Sequence, residues 1–123
     1  MAGIPTHETH ENRWPLYLRA RQKGTWASLV SGYEPSETLT KLTQFCPIMN
    51  IDVFFPPTFF LHGTADTDVP FEKSKEMHQA LLQKGIHSQL YAHPEGQHGF
   101  ESDWQNTPEE YDRVIQFLKK YLN

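Results

Sequence analysis

A short unbroken apolar run, TFFL at Thr58–Leu61, stands between Pro56-Pro57 and His62-Gly63. It constrains the fold more than any other segment. The run is too short for a helical stripe, and the flanking prolines and glycine bound it as a strand. A strand apolar on both faces needs helices above and below and other strands beside it, the environment of a parallel sheet. The chain offers one partner, Ser88–Ala92, with Leu90 and Ala92 on one face and Gln89 and Tyr91 on the other. Between the two strands, residues 71–84 place Phe71, Ser74, Met77, Leu81 and Lys84 at helical spacing, and Gly85 supplies a C-terminal cap. After them, Thr107-Pro108-Glu109-Glu110 has the form of a capping box with proline at the first helical position. Tyr111, Val114, Ile115, Leu118 and Leu122 then form the expected apolar stripe of a closing helix. Helices, strand, helix, strand, helix is the order of an α/β fold. One partner leaves the first strand with an unpaired edge, at about 1–3 kcal/mol for each buried backbone group. The two strands therefore read as the end of a larger sheet.

Upstream, the reading is helical. Residues 1–12 form a polar lead-in, expected to be poorly ordered. Residues 13–55 form a helical segment, broken at Gly24 and restarting near Ser36 or Glu37. It gives way to irregular chain before Pro47, Pro56 and Pro57. Residues 56–123 carry the α/β portion.

Composition removes several function classes. A net charge of -4 supplies no basic patch for nucleic acid, so no nucleic-acid partner is expected. The single cysteine, Cys46, excludes an internal disulfide and a thiolate cluster for zinc or iron–sulfur. No segment approaches the roughly 18 apolar residues that span a bilayer, and MAGIPTHETHENRW lacks the apolar core of a signal peptide. The expectation is a cytoplasmic protein without a membrane span, on condition that Met1 is the true start. His7, His10, His93 and His98 are scattered and lack paired carboxylates, so no metal centre is expected.

Two islands carry chemistry. In HGTADTDVP, Asp66 follows the first strand at its C-terminal end, where open α/β sheets place their sites. A carboxylate there can accept the Nδ1–H of a histidine, fix its tautomer and stabilise the imidazolium. Taken alone, Asp66 reads more readily as a loop aspartate bonded to its own backbone in an Asx-turn. In PEGQHGF, His98 follows the neighbouring strand, flanked by Gly96 and Gly99. Glycines let a loop bend sharply and project a side chain to a fixed point. A group titrating near pH 6.5 can serve as base and then as acid.

Together these islands resemble the C-terminal half of α/β-hydrolase enzymes, and more narrowly the prolyl oligopeptidase-like and esterase-like members. In those enzymes a pattern HGxxDxxVP carries the triad acid and a G-x-H-G-F-like loop carries the triad histidine. The resemblance is close over residues 56–123 and looser over 13–55. It implies Asp66 as acid and His98 as base, with Asp68 as the alternative acid. It further implies an acyl-enzyme mechanism, a small ester or peptide substrate and no cofactor. Trp14, Tyr17, Trp26 and Phe45 become candidate apolar contacts for an acyl group.

The departure is the nucleophile. The family presents it on a G-x-S-x-G elbow, and no such pattern occurs here. Ser28, Ser31 and Ser36 precede Asp66 without a leading apolar strand. Cys46 is in the right order, but Pro47 follows it and has no N–H to donate to an oxyanion. The chain is therefore expected to supply acid and base but to lack triad turnover by itself. The alternative is a non-catalytic module that pairs its open strand edge with a partner or with itself.

Overall fold

The computed structural model describes residues 10–102 and 107–122. The chain divides into two compact units, Met1–Asn50 and Ile51–Asn123.

The first unit is helical. Helix α1 spans His10–Gln22, α2 spans Trp26–Ser31 and α3 spans Pro35–Leu42, followed by 3-10 turns at Thr43–Phe45 and Pro47–Met49. The break between α1 and α2 falls at Gly24, as its residues suggest. Helix α1 begins at His10, inside the stretch read from sequence as polar lead-in. Three of the aromatic residues singled out above stack on one another. Trp14 and Tyr17 have ring centroids 5.1 Å apart, and Tyr17 meets Trp26 edge-on at 4.8 Å. Phe45 takes no part in that stack and is exposed.

The second unit carries the sheet. Strand β1 covers Thr58–Gly63, helix α4 Phe71–Gln83, strand β2 Ser88–His93 and helix α5 Pro108–Tyr121. The strands pair in parallel, with Thr58 opposite Ser88 and Gly63 opposite His93. Side chains alternate across the sheet, so each strand serves two helices. Phe60 and His62 face α4, where they meet His78 (6.4 Å) and Phe71 (5.8 Å). Phe59 faces α5 and meets Phe117 at 5.5 Å. Helices thus cover both faces of the strand, as TFFL calls for, although Thr58–Leu61 are only half-buried.

Helix α4 ends as expected. The Ile86 N–H donates to the Leu81 carbonyl (3.0 Å) and the Gly85 N–H to that of Leu82 (3.0 Å), with Gly85 at φ +75. That is a Schellman motif, whose reversal at Gly85 requires the left-handed backbone region. It brings Ile86 back onto Leu81, and both are buried.

Helix α5 corrects two expectations. The capping box does not form: Thr107 makes no side-chain capping bond to the helix. The Glu110 carboxylate instead accepts the Nδ1–H of His93 at 2.7 Å. The apolar stripe is also rotated. Glu110 and Phe117 are buried, whereas Tyr111, Ile115 and Leu118 are 41–45% exposed and Leu122 is 77% exposed. The helix carries two adjacent apolar stripes, and aromatic packing selects between them. Phe117 docks on Phe59, and Tyr121 packs on Phe117 (4.8 Å) and His87 (5.2 Å).

Among the described residues the sheet has two strands, so each strand has one edge without a strand partner. Among them, too, no helix is long and apolar enough to cross a membrane.

Candidate active site

The loops after β1 and β2 lie side by side because two glycines let their backbones touch. Gly63 and Gly96 are buried against each other, and a Cβ on Gly63 would fall on the Gly96 carbonyl and 2.9 Å from its Cα. Three hydrogen bonds lace the loops at this point. The Thr64 N–H donates to the His93 carbonyl (3.0 Å), the Ala65 N–H to the Gly96 carbonyl (3.1 Å), and the Glu95 N–H to Thr64 Oγ1 (2.9 Å).

This contact brings Asp66 and His98 together. His98 Nδ1 lies 3.0 Å from Asp66 Oδ2. An ionised carboxylate only accepts, so Nδ1 carries the proton and Nε2 of the neutral ring keeps its lone pair. The other oxygen, Oδ1, accepts the N–H groups of Asp68 and Val69, both at 2.8 Å. The two readings of Asp66 are therefore not alternatives. One oxygen makes the Asx-turn that holds the loop, and the other receives the histidine.

Electrostatics follow from these bonds. Partial withdrawal from water pushes the Asp66 carboxyl up, but the Val69 N–H, His98 and the Asp68 N–H outweigh it and bring it down to about 2. His98 is pushed above the ordinary imidazole value, first by the Asp66 hydrogen bond and then by the Asp66 charge. The Asp68 charge raises His98 as well, with a smaller effect than Asp66. Of the two candidate acids, Asp66 is the one bonded to His98.

A residue not singled out from the sequence completes the surroundings of Asp66. His62 Nε2 lies 3.0 Å from the Val69 carbonyl and 3.3 Å from Asp66 Oδ2, and its Nδ1 is 2.7 Å from Ser74 Oγ. The carbonyl accepts from Nε2–H, which leaves Nδ1 of the neutral ring to accept the Ser74 hydroxyl. His62 thus ties α4 to the Asp66 loop. Its signal was its place directly after the apolar run and four residues before Asp66.

Asp66 and His98 border a cleft of about 200 Å³, lined also by Leu61, His62, Val69 and Phe100, among others. A larger cavity of about 300 Å³ lies between β2 and α5, beside Tyr91, Arg113 and Lys120. It holds neither Asp66 nor His98, and size alone does not identify a site.

The other candidates stand elsewhere. Cys46 lies between the 3-10 turns of the first unit, with its carbonyl accepting from the Met49 N–H and from Asn50 Nδ2. Ser28 and Ser31 are in α2 and Ser36 is in α3. Among the described residues no strand precedes any of these four, so none occupies a strand-to-helix elbow. His7 lies outside the described residues. His93 bonds to Glu110 and His98 to Asp66. Among the described residues no group of three His, Cys, Asp or Glu could hold a metal ion.

Comparison with known proteins agrees with this architecture. A family model described as "Prolyl oligopeptidase family" (Peptidase_S9) matches residues 14–123. Similar curated proteins include the non-reducing polyketide synthases ausA and prhL of Penicillium brasilianum. Each is 32% identical over 69 residues, covering 54% of this chain and 3% of the synthase. The non-reducing polyketide synthase trt4 of Aspergillus terreus is 29% identical over 69 residues, with the same coverage. The chain thus spans about 3% of the length of these relatives. No solved structure matches it. The chain belongs to the prolyl oligopeptidase family and carries part of an α/β-hydrolase fold.

Proposed function

We propose that the chain supplies the acid and base of a hydrolase that works through an acyl-enzyme on a serine. Asp66 is the acid and His98 the base, and the nucleophile comes from a segment outside these 123 residues. The observation that carries the reading is the 3.0 Å bond from His98 Nδ1 to Asp66 Oδ2, made by a carboxylate already locked through its other oxygen. In such a pair Nε2 takes the serine proton as the hydroxyl attacks the acyl carbon, and returns it to the leaving group. It then takes a proton from water attacking the acyl carbon and gives it to the serine oxygen as the acyl–oxygen bond breaks, while the carboxylate stabilises the imidazolium. The substrate class is a carboxylic ester or a peptide bond.

The test compares this chain with a longer polypeptide that joins it to a segment bearing a serine elbow, using a fluorophosphonate probe and an activated ester. The chain alone should take up no probe. The longer polypeptide should react, and lose reactivity on His98→Ala. Stoichiometric labelling of a serine within the 123 residues would place the nucleophile here and sink the proposal. So would full activity in the His98→Ala polypeptide.

A second reading has its own observation. The open strand edges and the exposed face of α5 at Tyr111, Ile115, Leu118 and Leu122 suit a module that associates with itself or a partner. A cooperatively melting dimer in sedimentation would favour it; a monomer would count against it.

A further inference from the structure

His98 is 56% exposed, so the packing of its own ring cannot hold it on Asp66. Its loop is exposed at Pro94, Glu95, Gln97 and His98 and buried only at Gly96. The orientation of the base must come from where the loop is anchored: the loop after β1 holds it at Glu95 and Gly96, and its two feet lead to the first turn of α5.

The upstream foot is His93, the last residue of β2. Its Nδ1–H donates to Glu110 Oε1 at 2.7 Å, its ring stacks on Phe100 (4.4 Å, 17°), and its carbonyl accepts from Thr64 and Gly96. The downstream foot is Glu101, whose carbonyl accepts the Tyr111 hydroxyl at 2.9 Å. Glu110 and Tyr111 are consecutive, so one helical turn grips both ends of the loop.

We infer that this turn is the positioning device for the base: Glu110, acting through His93, and Tyr111, acting through the Glu101 carbonyl, hold His98 on Asp66. The inference rests on the reading of Asp66 and His98 as an acid–base pair. It accounts for two oddities of α5. A carboxylate is buried where a capping residue was expected, and a tyrosine is turned away from the core.

The charged surroundings are consistent with this role. Glu110 meets His93 and the Tyr91 hydroxyl from β2, and its own backbone N–H. Arg113 lies over the Tyr91 ring at 4.8 Å. His98 faces Asp66, Asp68 and Glu101. A hydrogen bond of 3.0 Å weakens steeply if its donor moves by ~1 Å, and a displacement of that size at a reacting group costs on the order of 10²-fold in rate.

Histidine-selective NMR titration of the 123-residue chain tests this without requiring turnover. In the unaltered protein His98 should titrate above 6.5, and Asp66→Asn should return it to its uncoupled value. Tyr111→Phe removes one hydroxyl from a side chain 41% exposed, so the fold should persist. It should nevertheless move His98 toward the Asp66→Asn value. Glu110→Ala should move it further, and Glu110→Gln, which still accepts from His93, should move it less than Glu110→Ala. A folded Tyr111→Phe protein whose His98 titrates as in the unaltered chain overturns the inference, even if Glu110→Ala does not fold. If Asp66→Asn leaves His98 unmoved, the acid–base reading itself has failed.

Discussion

Gly63→Ala should separate the two loops that carry Asp66 and His98. The added Cβ meets backbone, not the end of a flexible side chain: the Gly96 carbonyl and its Cα. Overpacking of this kind costs about 1–3 kcal/mol when the structure absorbs it. The other way out is to part the loops, which breaks the bonds from Thr64 to His93, from Ala65 to Gly96 and from Glu95 to Thr64. At about 1 kcal/mol net for each bond, that route costs about 3 kcal/mol. Either way the loss is about 1–3 kcal/mol, a sizeable part of the ~5–15 kcal/mol that holds a domain together. Urea denaturation measures it, and the same sample reports the local effect, since His98 should titrate closer to 6.5 once the loops part. Gly85→Ala is the control. Its Cβ would enter open space, so it should cost only the ~1–2 kcal/mol of a left-handed alanine and leave His98 unchanged. A Gly63→Ala protein within about 0.5 kcal/mol of the unaltered chain, with His98 unmoved, would refute the close-approach argument.

Stability should depend on pH through the same pair. Asp66 is lowered from 3.8 to about 2, so its contribution is present above 3.8 and is lost as pH falls through about 2. His98 is raised above 6.5, so its contribution is complete below 6.5 and is lost as pH rises through its folded value. Denaturation midpoints should peak between these limbs and flatten in Asp66→Asn; equal limbs in both proteins would contradict the pairing. On α5, Phe117→Ala should cost about 3–5 kcal/mol and Ile115→Ala under ~1 kcal/mol, and a reversed order in denaturation would show the helix docked by its other face. In the longer polypeptide, Asp66→Asn should lower kcat by about 10⁴ and Asp68→Asn far less. The opposite ranking would move the acid to Asp68.

Much of the second unit is legible in the residues. TFFL between Pro56-Pro57 and His62-Gly63 gives a strand with helices on both faces, and the spacing from Phe71 to Leu81 ahead of Gly85 gives α4 with its end. These are local effects: steric limits at proline, the left-handed backbone open to glycine, and a helical period over a dozen residues. The pairing of Asp66 with His98 is legible for a related reason. Parallel strands start and end together, so loops at the same ends of neighbouring strands must meet.

The rest required the folded molecule. Sequence presents α5 with two apolar stripes and a capping pattern, and nothing local chooses among them. The choice comes from Phe59 beneath Phe117 and from His93 opposite Glu110, partners distant in sequence. His62 belongs to the same class, since its bonds to Ser74 and Val69 depend on α4 folding back over the strand. The chain's own residues determined that Asp66 and His98 stand at adjacent strand ends of an α/β sheet. Only the tertiary structure decided how each is held, because hydrogen-bond direction and helix rotation depend on side chains that meet after the backbone has closed.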